Sequence, residues 1–333
     1  MWPLSRENSP KQFDKIFNGK STLQLAFGRV TPSFGAENIF VQTTGIFQKI
    51  IRKQLPELPK KNLFIEPARR DVGAAVCFAI NKLKRAGHSG PVAIVWADHL
   101  MDRVSEFTRA LRTGEKLIEK DSRRFVFIAE RPRFANNNLG WMKVGEKKGE
   151  VGKKDFFSFE GWKYKPEKSV CDRMYKSGEY FWNPGYFVSS IEFLMDCYRK
   201  LAPEIFQCVT KGKYEKCPKL HFDNAIIEKV NLSNAVVLKT NMGWSDPGTL
   251  YALKEALEKN SDANVVKGQV VDFETVDSLV YNLEAGKIVA TVGLKGMVVV
   301  NTPDAIVVAH KDNVVKISEL VKEMKKRKLD KFL

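Results

Sequence analysis

The sequence predicts an α/β fold: a doubly wound, mainly parallel sheet followed by a small β unit. Three observations predict it. Pro91-Val92-Ala93-Ile94-Val95-Trp96 is an apolar run with no polar alternation, the pattern of a strand buried on both faces beneath helices. Similar runs alternate with helix-periodic segments through the first half of the chain. From Asn264 onward, short β-branched runs recur between Gly, Asp and Asn turns at intervals of about ten residues, which suits a compact β unit.

Taken in order, Asn38 to Gln42 reads as a short buried strand. Thr43 or Thr44 then caps a helix that buries Ile46, Phe47, Ile50 and Ile51. Asn62 to Ile65 is a second strand, followed by a helix through Ala74 to Arg85. The apolar run ending at Asp98 is the third, followed by a helix from Val104 to Ile118, and Arg124 to Ala129 is the fourth. After Glu130 the rhythm loosens into a turn at Asn136-Asn137-Asn138 and short strands around Trp141 and from Phe156 to Phe159. Tyr180 to Val188 is extended, and a helix begins near Ser190. Asp223 caps a helix burying Ile226, Ile227 and Val230, and Ala235 to Lys239 is a strand. Asp246-Pro247 opens a helix to Lys259, with Pro in the first position as helix starts prefer. The runs Gln269–Val271, Leu279–Tyr281, Ile288–Val292, Met297–Val300 and Ala305–Val308 form a β-helix-like unit, closed by a helix from Lys316 to Lys328. The expected domains are 1–262 and 263–333.

Composition narrows the function classes. The 333 residues contain no apolar run long enough for a membrane span and no signal-peptide core, so no membrane partner is expected. Five Cys, an odd number without a C-x-x-C, point away from a disulfide framework and toward a reducing cytoplasm. The net charge of +16 is spread along the chain without a nucleic-acid-binding motif, so nucleic acid is not an expected partner. A basic chain also attracts small phosphorylated substrates.

Asp98 stands where the third strand should leave the core, and ligands of open α/β sheets bind at such strand ends. A carboxylate there can hold Mg²⁺ and leave positions for substrate phosphates. A plain helix cap is the other reading of the same residue.

Eight stretches carry a resemblance: WPLSRENSPKQF (2–13), EPARRDVGAAV (66–76), ADH (97–99), NLGWMKVGE (138–146), KPE (165–167), SGEYFWNPGYF (177–187), FDNAIIEK (222–229) and WSDPG (244–248). In this order they resemble the mannose-1-phosphate guanylyltransferases of the sugar nucleotidyltransferase superfamily. The resemblance implies a Rossmann-like nucleotidyltransferase domain over 1–262. It also implies transfer of a guanylyl group from GTP to mannose 1-phosphate, giving GDP-mannose and pyrophosphate. Positioning and charge stabilisation supply most of the catalysis in such in-line transfers.

Site residues follow from the resemblance. Asp98 and Asp246 would hold Mg²⁺ between the α-phosphate and the sugar phosphate, with an N-cap before Pro247 as the alternative role of Asp246. Lys11 and Arg6 would neutralise triphosphate charge. Glu66, Arg70 and Asp71 would line the nucleotide at a strand-to-helix turn, and Asp71 reads equally as a helix cap. Here Asp71-Val72-Gly73-Ala74-Ala75 replaces the family's Asn-Thr-Ala-Pro-Ala. Gly140 would let a sugar hydroxyl approach the backbone, Asn183 would bind ring hydroxyls and Lys165 would meet the sugar phosphate. Tyr164 stands where the family has Glu. Trp141, Phe181, Trp182 and Phe187 read as core or pocket wall.

The resemblance begins at Met1-Trp2, after the point where family members carry an apolar strand and a Gly-Gly-x-Gly-x-Arg-Leu loop. The expectation is an N-terminally incomplete copy. Loss of a central strand of roughly six apolar residues would forfeit on the order of 10 kcal/mol. Two other functions remain open at this stage: another sugar-1-phosphate nucleotidyltransferase, and a non-catalytic nucleotide-sugar-binding homologue. A homodimer contact through the C-terminal unit is a further expectation, and no fused isomerase domain is expected.

Overall fold

In the computed structural model, residues 1–6, 10–15, 19–258, 260 and 262–333 are described, apart from the side chain of Lys11. The chain forms two compact units. One comprises Phe27–Trp96 and Met101–Trp244, the other Met1–Ala26, Ala97–Leu100 and Ser245–Leu333.

The first unit holds eight strands: β1 (Val41–Thr44), β2 (Leu63–Glu66), β3 (Pro91–Ile94), β4 (Phe125–Glu130), β5 (Gly140–Val151), β6 (Lys154–Tyr164), β7 (Tyr180–Ser190) and β8 (Ala235–Thr240). Six of them form one sheet in the order β3-β7-β4-β8-β6-β5. Alternation along β4 shows why it is central. Phe125, Phe127 and Ala129 enter one apolar cluster, with Cys77 and Ile80 of the helix Asp71–Arg85 and Leu194 of the helix Ile191–Leu201. Val126 and Ile128 enter the cluster on the other face, with Phe107, Ala110 and Leu117 of the helix Val104–Lys120. Helices thus cover both faces, and each large buried side chain contributes about 1.5–3 kcal/mol. Trp141 and Trp182 are fully buried in edge-to-face contact at 6.2 Å, which makes them core.

The α/β layering matches expectation, but the sheet is mixed. β4 and β8 are parallel, while β7 runs antiparallel between β3 and β4, and the β5–β6 hairpin adds antiparallel strands at the other edge.

The third predicted strand differs in a more consequential way. Instead of burial on both faces, β3 has Pro91 and Ala93 exposed and Val92 and Ile94 only half-buried. The cause is pairing: β3 bonds to β7 on one side only, while β1 and β2 form a separate parallel pair. A groove of about 490 Å³ lies within this unit, lined by Phe40, Phe64, Leu83, Val92, Ile94 and Leu111 among others. For the same reason the first strand, expected at Asn38–Gln42, is Val41–Thr44 and half-buried throughout. Thr44 precedes a 3₁₀ turn without a side-chain cap bond, and Ile46, expected in the core, is 65% exposed.

Two helix starts are also corrected. Asp223 lies inside a four-residue helix, Phe222–Ala225, whose N-cap position is His221, although Ile226, Ile227 and Val230 are buried as expected. In the second unit, Asp246-Pro247 does not open the helix. Thr249 caps it by accepting the Ala252 N–H at 3.0 Å, and the helix runs Leu250–Leu257.

The second unit contains β9 (Val265–Lys267), β10 (Val270–Phe273), β11 (Leu279–Asn282), β12 (Val289–Val292), β13 (Met297–Asn301) and β14 (Ile306–His310). β9, β11 and β13 stack in parallel, β10 and β12 form a second parallel pair, and β14 closes one stack antiparallel. This is the coil expected from the regular short runs; only β9 lacked a sequence signal. Leu279, Tyr281, Val298 and Val300 fill its core together with Leu250 and Leu253. The Asn301 amide donates to Asn282 Oδ1 at 2.9 Å, which ties successive coils in register. The closing helix is Ile317–Lys326.

Candidate active site

Asp98 and Asp246 belong to the same unit, and the backbone joins their segments. Leu100 N–H donates to the Ser245 carbonyl at 3.0 Å, and Ser245 N–H donates to the Leu100 carbonyl at 3.1 Å. Such a reciprocal pair places facing residues about 5.5 Å apart. Asp98 stands two residues before this bridge and Asp246 one residue after it. Asp98 keeps 38% side-chain exposure, with His99 Nε2 at 3.8 Å. Asp246 is half-buried, and its carbonyl accepts the Gly248 N–H at 2.8 Å. Gly248 also matters for space, because a Cβ there would sit 3.3 Å from Asp246 Oδ1.

Two carboxylates on bridged segments, with glycine beside one of them, fit Mg²⁺. It takes one or two protein carboxylates in an all-oxygen set and leaves the remaining positions to water and phosphates. Among the described residues no group of three or more His, Cys, Asp or Glu could hold a metal ion, so a cage supplied wholly by the protein is not present there.

Arg6 is occupied elsewhere in this unit. Its guanidinium grips Asp304 in two bonds of 2.6 and 2.8 Å and donates to the Phe332 carbonyl at 2.9 Å. Lys11 opens a 3₁₀ turn, Lys11–Phe13, and its side chain lies outside the described atoms.

The expected nucleotide residues lie together in the first unit. Glu66 ends β2, and its Oε2 accepts the Tyr214 phenol at 2.6 Å. Burial, then the bond to Glu66, pushes the Tyr214 hydroxyl well above its ordinary range. Arg70 Nε is buried and, among the described residues, without a hydrogen-bond partner. Asp71 adopts φ 65°, accepts the Val72 N–H on Oδ1 at 2.8 Å and has His221 Nδ1 at 3.6 Å. It is the first residue of the helix Asp71–Arg85, whose N-cap position is Arg70, so the reading of Asp71 as the cap is not met. The altered Gly73 allows a close approach: its N–H donates to the Leu220 carbonyl at 2.9 Å, where a Cβ would come within 2.4 Å of that oxygen.

The three expected sugar-side residues also converge in the first unit. Gly140 begins β5 opposite Tyr164, with the Asn183 Cβ 3.5 Å from where a Gly140 Cβ would stand. Lys165, at φ 45°, donates its N–H to the Leu139 carbonyl at 3.2 Å, and its ammonium lies 5.1 Å from the centre of the exposed Tyr164 ring. Asn183 Oδ1 accepts the Gly185 N–H at 2.8 Å, which fixes which end of its amide is the oxygen and which the NH₂.

One residue was missed by sequence reasoning. Glu130 ends β4 fully buried and gathers the N–H groups of Met242 (2.8 Å), Gly243 (2.9 Å) and Trp244 (3.1 Å), plus the Thr240 hydroxyl (3.2 Å). Burial pushes its carboxyl up, against the pull of these donors. The signal that could have found it is an acid closing an apolar strand, the same signal that singled out Asp98.

Comparison with known proteins places the chain in a family. Residues 1–263 match the nucleotidyl transferase family model, and residues 268–324 match the MannoseP isomerase/GMP-like beta-helix domain. A mannose-1-phosphate guanylyltransferase of Escherichia coli is 27% identical over 97% of this chain and 73% of its own length. The mannose-1-phosphate guanylyltransferase RfbM of Salmonella typhimurium is 27% identical over 100% of this chain and 71% of its own length. A crystal structure from Thermus thermophilus, described as a mannose-1-phosphate geranyltransferase, superposes with a TM-score of 0.87 at 25% identity, covering 98% of this chain and 95% of that one. On these grounds the chain belongs to the nucleotidyl transferase family and carries behind that domain a beta-helix domain of the MannoseP isomerase/GMP-like kind.

Proposed function

We propose that the chain transfers a guanylyl group from GTP to mannose 1-phosphate, releasing GDP-mannose and pyrophosphate. The observation that carries this reading is the Leu100–Ser245 bridge, which joins the segments bearing the two acids. Likeness over nearly the whole chain to enzymes named mannose-1-phosphate guanylyltransferase supports the choice of substrates.

A phosphate oxygen of the sugar attacks the α-phosphorus of GTP, and the bond to the β-phosphate oxygen breaks as pyrophosphate leaves. The protein's part is orientation and charge. Asp98 and Asp246 would hold Mg²⁺, which when bound neutralises phosphate charge. Asn183 donates to a sugar hydroxyl and Gly140 leaves room for it, while the Lys165 ammonium meets the sugar phosphate. Glu66 and Asp71 can accept from the base and ribose, and the Arg70 guanidinium adds positive charge at that turn. A cytoplasmic location and a homodimer complete the reading; light scattering that gives the mass of one chain would remove the dimer.

The test is pyrophosphate release by the purified chain, with Mg²⁺, across a panel of nucleoside triphosphates and sugar 1-phosphates. Turnover should be highest with GTP and mannose 1-phosphate. Asp246→Asn should cost more than the roughly 10–100-fold typical of outer-shell changes, with the circular dichroism spectrum unchanged. Preference for a different pair would make the chain another sugar-1-phosphate nucleotidyltransferase. Calorimetric binding of GDP-mannose without turnover would make it a non-catalytic homologue.

A further inference from the structure

Glu130 does more than satisfy buried backbone. After Thr240 the chain leaves the sheet, and Met242, Gly243 and Trp244 are all buried, so three successive N–H groups need acceptors. One carboxylate supplies them: Oε2 takes Met242 N–H and the Thr240 hydroxyl, and Oε1 takes Gly243 N–H and Trp244 N–H. Gly243 adopts φ 67°, the left-handed turn that lets consecutive N–H groups converge on one anion. The Met242 carbonyl of the same loop also accepts from Asp102 N–H at 3.2 Å and Arg103 N–H at 2.8 Å, two and three residues past Leu100 in the chain. From these anchored residues the chain runs directly into Ser245-Asp246 on one side and back to Leu100 and Asp98 on the other.

We propose that Glu130 is the positioning residue for the Asp98–Asp246 pair, setting through the 242–244 backbone the register in which the two acid-bearing segments run. It touches neither substrate nor metal. The inference rests on the reading above, in which those two aspartates hold the divalent ion. A one-residue slip of the 242–244 loop would carry Asp246 out of step with Asp98, because only two peptide units separate it from Trp244, the last residue of the cradle.

The test uses the full chain and Mn²⁺ as the probe, with binding followed by electron paramagnetic resonance and amide exchange followed over residues 240–246. Glu130→Gln keeps shape but turns half of the acceptor into a donor; Glu130→Asp keeps charge but shortens the reach. Circular dichroism selects the variant that is folded at the assay temperature. The expected result is Mn²⁺ binding weakened by about tenfold or more, as for outer-shell partners, together with faster exchange over 242–246. Faster exchange with Mn²⁺ binding within about twofold of the parent would make Glu130 structural only and overturn the proposal. The parent reading is checked separately. If Asp246→Asn loses Mn²⁺ while Glu130→Gln keeps it, only the positioning role falls. If Asp98→Asn and Asp246→Asn both bind Mn²⁺ like the unmodified chain, the metal reading falls, and the positioning role with it.

Discussion

Replacing Asp277 by Asn removes the centre of a buried ion cluster in the second unit. Asp277 Oδ1 accepts from Lys254 Nζ at 2.5 Å and from the Tyr251 hydroxyl at 2.7 Å, and Oδ2 accepts from Lys311 Nζ at 2.7 Å. The Lys254 side chain is fully buried and also paired with Glu258. Burial pushes the Asp277 carboxyl up, but bonds from Lys254, Lys311 and Tyr251 more than offset it and hold it at about 2. A fall from 3.8 to about 2 is worth about 2 kcal/mol, at about 1.4 kcal/mol per tenfold change in proton affinity. Because the folded value lies below the unfolded one, this stability is fully present above about pH 4 and disappears as the pH falls toward 2. Removing one member of a fully buried pair costs about 3–5 kcal/mol. Here Lys254 keeps Glu258, and the partly exposed Lys311 can turn to water, so the expected loss at pH 7 is about 2–3 kcal/mol. Urea unfolding followed by tryptophan fluorescence and circular dichroism measures it. The gap between Asp277→Asn and the parent should narrow steadily between about pH 4 and pH 2. A gap under about 0.5 kcal/mol at neutral pH, within the ordinary range for surface changes, would refute the reasoning, as would one that does not vary with acidity.

Two other outcomes concern the first unit. Gly73→Ala should destabilise by about 1–3 kcal/mol, although Ala normally gains about 1 kcal/mol over Gly in a helix. The new Cβ meets the Leu220 carbonyl at 2.4 Å, and that oxygen cannot retreat without lengthening the bond it accepts from Gly73 N–H; a raised melting temperature would show that the carbonyl yields freely. Amides of β3 that do not face β7 should exchange with deuterium far faster than those of Val126–Ile128, where β4 is paired on both sides. Equal protection of the two strands by mass spectrometry would mean that the edge of β3 beside the groove is covered in solution.

What could be read from the sequence depended on how local its cause was. Alternation within β4 and the turn-spaced runs of the β-helix are set by neighbouring residues, so both were legible. The exposure of β3 was not, because a six-residue apolar run is silent on whether its edges are paired. Arg6 was read as a phosphate ligand because its partner, Asp304, lies 298 positions away. The helix after Asp246 was placed too early for a similar reason. Asp246-Pro247 and Gly248-Thr249 are both acceptable helix entrances, and the choice falls to Thr249. Ser245 is held in the bridge to Leu100, and the Asp246 carbonyl is turned back onto Gly248 N–H.

The acids at strand ends make the same point with more force. β2 ends in Glu66, β4 ends in Glu130, and Asp98 follows β3, so one local pattern recurs three times: an apolar run closing on a carboxylate. Locally the three are equivalent, and a reader of the sequence has reason to give them the same role. What separates them arrives from far along the chain. Tyr214 brings a phenol to Glu66, the 242–244 loop brings three N–H groups to Glu130, and Ser245 brings a second acid-bearing segment to that of Asp98. A carboxylate filled by backbone donors can only hold structure, whereas one on a segment bridged to a second acid can share a divalent ion. The strand end therefore marks where chemistry is possible, and the donor that reaches it decides which chemistry it is.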